Sequence, residues 1–79
     1  MGDWIPTEER LPEEEGEYLI TWTGTLAHTH TWHFIRVVEY IKYRDGFYWD
    51  TDDIYDYGYR DVEVIAWMPL PEPYKGENE

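Results

Sequence analysis

What the chain lacks narrows its chemistry first. It has no cysteine, which excludes disulfides and cysteine-based zinc sites. It also has no serine and no glycine-rich phosphate loop. Nucleophilic catalysis and phosphoryl transfer therefore have little to work with. No apolar run approaches the roughly 18–20 residues that a membrane helix requires. The opening MGDWIPTEER carries neither the basic nor the apolar region of a secretory signal, so the expected location is the cytoplasm. Bases are scarce: six against eighteen acids, for a net charge of −12. That balance speaks against membrane surfaces and against direct binding of nucleic acid, both of which call for basic patches.

Aromatic side chains are what the chain has instead. Five Trp, eight Tyr and two Phe make up 19% of 79 residues. A chain this short buries only about 60–65% of its unfolded surface. Each buried aromatic removes roughly 150–250 Å² from water, so a few of them replace a larger aliphatic core. One domain is expected over residues 1–79. The charge goes well beyond the roughly 2–8 units that solubility asks of a small domain, and it favours a cationic partner.

The pattern along the chain predicts a mainly β (or small α+β) domain. It comprises a single small antiparallel sheet of about four strands, Trp/Pro-rich terminal arms and at most a short helix. Residues 1–16 form an arm and turn, with Trp4, Ile5 and Leu11 as apolar anchors. Thr7 is placed to cap one helical turn that Pro12 ends. In residues 17–23 (EYLITWT), Tyr18, Ile20 and Trp22 share one face, and Gly24 is expected to break the strand. Residues 25–31 fit either a long hairpin loop or the start of the next strand. Residues 32–44 (WHFIRVVEYIKYR) fit a helical stripe too, but their β-branched content favours a long strand. Ile35, Val37, Ile41 and Tyr43 then lie on one parity, and Arg36 and Lys42 on the other. Arg44-Asp45-Gly46 supplies a hairpin turn.

Residues 50–61 (DTDDIYDYGYRD) hold five aspartates and three tyrosines without apolar periodicity, and suggest an exposed loop. Residues 62–67 form the last strand, with Val62 and Val64 on one face and Ile65 and Trp67 on the other. Pro69, Pro71 and Pro73 lack the N–H a ladder needs, so the strand is expected to stop there and leave as a polyproline-like arm. Residues 68–79 are this arm and a tail.

No catalytic constellation emerges, and neither enzyme activity nor a cofactor is expected. His28 and His30 share a strand face, but His33 points away and no acid in the segment completes a metal site. Asp50, Asp52, Asp53 and Asp56 fail the EF-hand spacing, because Ile54 and Tyr55 fall at its fifth and sixth positions. The remaining signal is acid interleaved with aromatic rings. Carboxylates pair with Lys and Arg, and rings stack on guanidinium groups. A groove built for nucleic acid offers those same groups. The candidate contact residues are Asp50, Asp52, Asp53 and Tyr55, followed by Asp56, Tyr57, Tyr59 and Asp61. The acidic cluster Glu13, Glu14 and Glu15 joins them.

Both ends carry a resemblance. Trp4-Ile5-Pro6, Glu9-Arg10-Leu11-Pro12 and Glu15-Gly16-Glu17-Tyr18, with the terminal Trp67-Met68-Pro69-Leu70-Pro71-Glu72-Pro73, resemble a short phage and prophage family. It is catalogued as a domain of unknown function, number 551. Ile65-Ala66 stands where the family pattern has a Thr-His or similar pair, and residues 28–33 and 50–61 lie outside the pattern. The resemblance implies a phage or mobile-element origin, hence the cytoplasm of an infected bacterium, and assigns no biochemical role. Two functions stay open. One is an acidic inhibitor of a host nucleic-acid-binding defence protein with a basic surface (anti-CRISPR or anti-restriction type, a mimic of nucleic-acid charge). The other is a structural or accessory phage protein acting as a homo-oligomer, a homodimer included.

Overall fold

Alternating apolar residues and β-branched content give this chain long strands. In the computed structural model, β1 spans Ile5–Pro6, β2 Gly16–Leu26, β3 Thr29–Tyr43, β4 Gly46–Trp49 and β5 Arg60–Pro69, with one short helix, α1, at Asp52–Asp56. The structure describes residues 3–71 and Gly76, with His30, Thr31 and Trp32 through their backbone alone. Glu72 and Pro73, at the end of the expected proline arm, lie outside the described residues, as do the tail residues other than Gly76. The strands form one sheet in the order β1-β5-β2-β3-β4, and all its pairings are antiparallel. The fifth strand comes from the N-terminal arm, where Ile5 pairs with Trp67 and Pro6 with Ala66. Fifteen residues at about 3.3 Å each span roughly 50 Å, so β3 alone accounts for the 49 Å long axis.

Several expectations are corrected. Gly24 does not break β2. It is buried within the strand, where an added Cβ would meet Trp22 Cζ3 at 3.2 Å and the Arg60 carbonyl oxygen at 3.4 Å. The glycine is there for close approach. Residues 25–31 are neither a long loop nor wholly strand. β2 turns into β3 through Ala27 and His28 alone, at φ 50° and 70°. Both sit in the left-handed region that a two-residue hairpin demands. Thr7 caps no helix, because its hydroxyl donates to the Val64 carbonyl (3.0 Å) and its amide to that of Ile65. The turn after it closes instead on the Pro6 carbonyl, which accepts from the Glu9 and Arg10 amides. Trp4 and Leu11 are exposed, while Ile5 packs against the core and Pro12 is buried. β5 continues past Trp67 to Pro69, which pairs with Tyr18.

The β5 faces are also corrected. Trp22 pairs with Val64 while Thr21 pairs with Ala66, which leaves Ile65 as an extra residue in β5. Such a bulge flips the parity of the strand. Val62, Val64 and Trp67 therefore all face the core.

That core is Ile20, Trp22, Val38, Ile54 and Trp67, with Tyr40 buried beside them. Directly paired strand residues share a face, and the register puts Tyr18, Ile20, Trp22, Val38 and Tyr40 on one side of the sheet. In β3 the core parity is thus the one that carries Arg36 and Lys42. The more apolar parity, with Ile35, Val37 and Tyr43, is exposed on the opposite side.

Candidate functional site

Residues 50–61 are not a loop throughout. Asp50 starts the segment by donating its amide to the Glu39 carbonyl at 2.8 Å, and its Oδ1 accepts from the Asp52 amide at 3.3 Å. Asp52 and Asp53 then occupy the first turn of α1, where acids suit the positive end of the helix dipole. Ile54, only 3% exposed, pins this turn into the core between the aspartates. The helix ends in a Schellman arrangement. The Gly58 amide donates to the Tyr55 carbonyl at 2.9 Å and the Tyr59 amide to the Ile54 carbonyl at 3.4 Å. Gly58 itself holds φ 120°. The signals for this helix were in the sequence: Asp-Thr-Asp-Asp ahead of one isoleucine, and glycine two residues beyond Asp56.

The helix sets the aromatics at distinct depths. Tyr59 packs edge-on against Trp22, with ring centroids 5.0 Å apart. Tyr57 stacks on Tyr59 at 6.1 Å and is 77% exposed. The Tyr55 hydroxyl accepts from the Val62 amide at 3.2 Å, which ties α1 to β5. Asp61 is an exposed bulge residue at φ 54°, a backbone state that aspartate tolerates better than most. Between α1 and the sheet lies an open hollow of about 690 Å³, lined by Trp22, Phe34, Arg36, Asp53, Asp56 and Tyr57 among others. Trp22 Nε1 is the one buried side-chain polar atom without a hydrogen-bond partner among the described residues.

Sequence reasoning left Arg36 out of the site. Its guanidinium donates to Asp53 Oδ2 at 3.4 Å, the only ion pair among the described residues. With side chains 44% and 81% exposed, the pair is screened and contributes little stability. Its role is to mark the single base on an acidic rim. A lone Arg on the core parity of a strand was the available signal.

The second acidic cluster lies on the same side of the sheet. Tyr18, a core-side residue, donates its hydroxyl to the Glu14 carbonyl at 2.9 Å. Glu13 and Glu14 line a shallow depression with Arg10, Tyr18 and Trp67. Glu15 Oε1 accepts from the Lys42 amide at 2.9 Å, beyond the start of β2. Gly16 pairs with Tyr40 on one flank of β3, while Asp50 bonds Glu39 on the other. Gly16 and Asp50 thus stand two strand spacings, roughly 10 Å, apart, and the clusters they lead to are offset further along the strands.

His28 is exposed at the hairpin tip and His33 is exposed on β3. The side chain of His30, the third member of the metal set weighed from the sequence, lies outside the described residues. Burial pushes the Tyr40 phenol above its ordinary range, and the Tyr18 hydroxyl adds to the effect.

A family model described as "Protein of unknown function (DUF551)" matches residues 3–75. No curated protein and no solved structure matches the chain.

Proposed function

We propose for this chain, which belongs to the DUF551 family, the role of a small acidic binding protein. It occupies the nucleic-acid groove of a host defence protein, of anti-CRISPR or anti-restriction type, in the cytoplasm of a bacterium carrying the phage or prophage that encodes it. The observation that supports this is a run of carboxylates set among exposed tyrosine rings. Asp52, Asp53 and Asp56 on α1 and Glu13 and Glu14 before β2 lie on the core side of the sheet, with Tyr55 and Tyr57 exposed among the aspartates. Asp53 and Asp56 lie one helical turn apart, a spacing of about 5–6 Å. A basic groove meets them with Lys and Arg, and its guanidinium groups stack on the tyrosine rings.

The test mixes the purified protein with guide-loaded CRISPR effectors and restriction enzymes and measures their DNA binding over a salt series. Expected is stoichiometric inhibition that weakens with salt, and weakens at least about tenfold in an Asp52→Asn/Asp53→Asn/Asp56→Asn variant. No inhibition across the panel at low salt overturns the reading.

A second reading, an accessory phage protein that self-associates, is favoured by the open side of the sheet. Ile35 is 63% exposed there, with Val37, Tyr43 and Tyr48 also exposed. Light scattering separates the two: a tight dimer that buries this side supports the second reading, and a monomer at high concentration removes it.

A further inference from the structure

The outer edge of β3 has backbone to spare. β4 pairs only with Tyr40–Tyr43 of this fifteen-residue strand. Two hydrogen bonds set the direction of the remaining amides. The Glu39 carbonyl points outward to the Asp50 amide, and the Lys42 amide points inward to Glu15. In an extended strand the N–H and C=O of one residue share an edge, and successive residues alternate. Val37 and Ile35 therefore aim their N–H and C=O groups outward, as Glu39 does. No β4 residue pairs with either, and no described turn or side-chain hydrogen bond takes them. Two of the usual protections of an edge are missing. No proline or lysine stands between His33 and Glu39, and Arg36 leans toward Asp53.

We propose that this edge takes an added strand from a partner protein: an extended segment that alternates Arg or Lys with β-branched residues. Side chains of an added strand project alternately to the two sides of the sheet. One set enters the hollow beside Phe34, Asp53, Asp56 and Tyr57, which offers carboxylates and rings to a guanidinium. The other set lies alongside the exposed Ile35 and Val37, which suits valine or isoleucine. A second copy of this chain is the poorer occupant, because pairing edge to edge sets −12 against −12. The basic half of the pattern rests on the cationic-partner reading above; the unpaired edge does not.

The probe is a synthetic eight-residue peptide of alternating Arg and Val, titrated into the full-length protein. Controls are the Glu-Val counterpart and an Arg-Val peptide N-methylated at every second amide. Hydrogen exchange by NMR is expected to slow at the Ile35 and Val37 amides on addition of the Arg-Val peptide. The peptide methylated on its bonding amides should bind at least about tenfold more weakly, from two or more lost ladder hydrogen bonds. Val37→Pro, which an edge position tolerates, should abolish the protection while leaving the fold intact by circular dichroism. Binding without protection of Ile35 and Val37, or no binding at all, overturns the added strand and leaves the acidic-inhibitor reading standing. Equal protection by the Glu-Val peptide overturns the basic occupant and, with it, the cationic-partner reading. Concentration-dependent protection without any peptide identifies a second copy as occupant and overturns the proposal.

Discussion

The indole Nε1 of Trp67 donates a hydrogen bond to the main-chain carbonyl of Arg10 at 2.9 Å, closing a separation of 57 residues. The Arg10 guanidinium also lies 6.0 Å from the centre of the same ring. Together with the Ile5–Trp67 pairing, this contact fastens the N-terminal arm to the last strand. The N-terminal arm and the last strand thus meet at one tryptophan.

Trp67→Phe keeps a ring but removes the donor and part of the buried volume. The expected loss is about 2–3 kcal/mol, from a lost hydrogen bond and incomplete repacking. At roughly 4–8 °C per kcal/mol for a domain of this size, thermal denaturation should show a drop of at least about 8 °C. A change within a degree or two would mean that the arm is held elsewhere.

Glu17 and Glu39 stand directly opposite each other across the β2–β3 ladder. Like charges so placed are destabilising. Glu39→Lys is expected to stabilise the fold by about 0.5–1 kcal/mol. The gain should shrink in high salt and vanish when Glu17→Lys is added. Denaturant midpoints of the parent chain and the two variants at two salt concentrations check this.

Gly58→Ala puts a Cβ 3.3 Å from Leu26 Cδ1 at a residue with φ 120°. The expected cost is about 1–2 kcal/mol, read as a lower melting temperature. Faster amide exchange at Tyr59, whose N–H closes the helix end, should accompany it. Gly46→Ala meets nothing within 4 Å and serves as the control.

The raised pKa of Tyr40 predicts a limit at high pH. Its unfolded phenol titrates near 10.0, whereas burial keeps the folded phenol protonated to higher pH. The unfolded state then binds fewer protons than the folded one, so stability falls as pH rises. The contribution is fully present below about pH 10 and is lost as pH climbs through the folded-state value. Tyr40→Phe keeps the ring that stacks on Phe47 at 5.0 Å. It should flatten the melting temperature between about pH 10 and 11, relative to the parent chain. An unchanged slope would place the alkaline sensitivity in other tyrosines.

Much of the scaffold was legible because period two is a strong signal. Tyr18, Ile20 and Trp22 alternate without interruption and do form the core face of β2. The acidic segment was less legible. A helix of five residues with one buried position has no period to detect, so Ile54 looked like an incidental apolar residue among aspartates. Arg36 was hidden for a related reason: the parity that holds it looked like the solvent side.

By itself, the sequence determined the strand content, the acid excess and the resemblance to the family. These are local properties of propensity, charge and proline placement. The faces and edges were decided only in three dimensions. The bulge at Ile65 flips one strand so that Val62, Val64 and Trp67 face the same way. Ile54 draws α1 onto the Trp22 side, which leaves Ile35 and Val37 open on the other. β4 stops short and leaves the β3 edge bare. A one-residue shift in register exchanges inside for outside, and that shift depends on how distant strands pair.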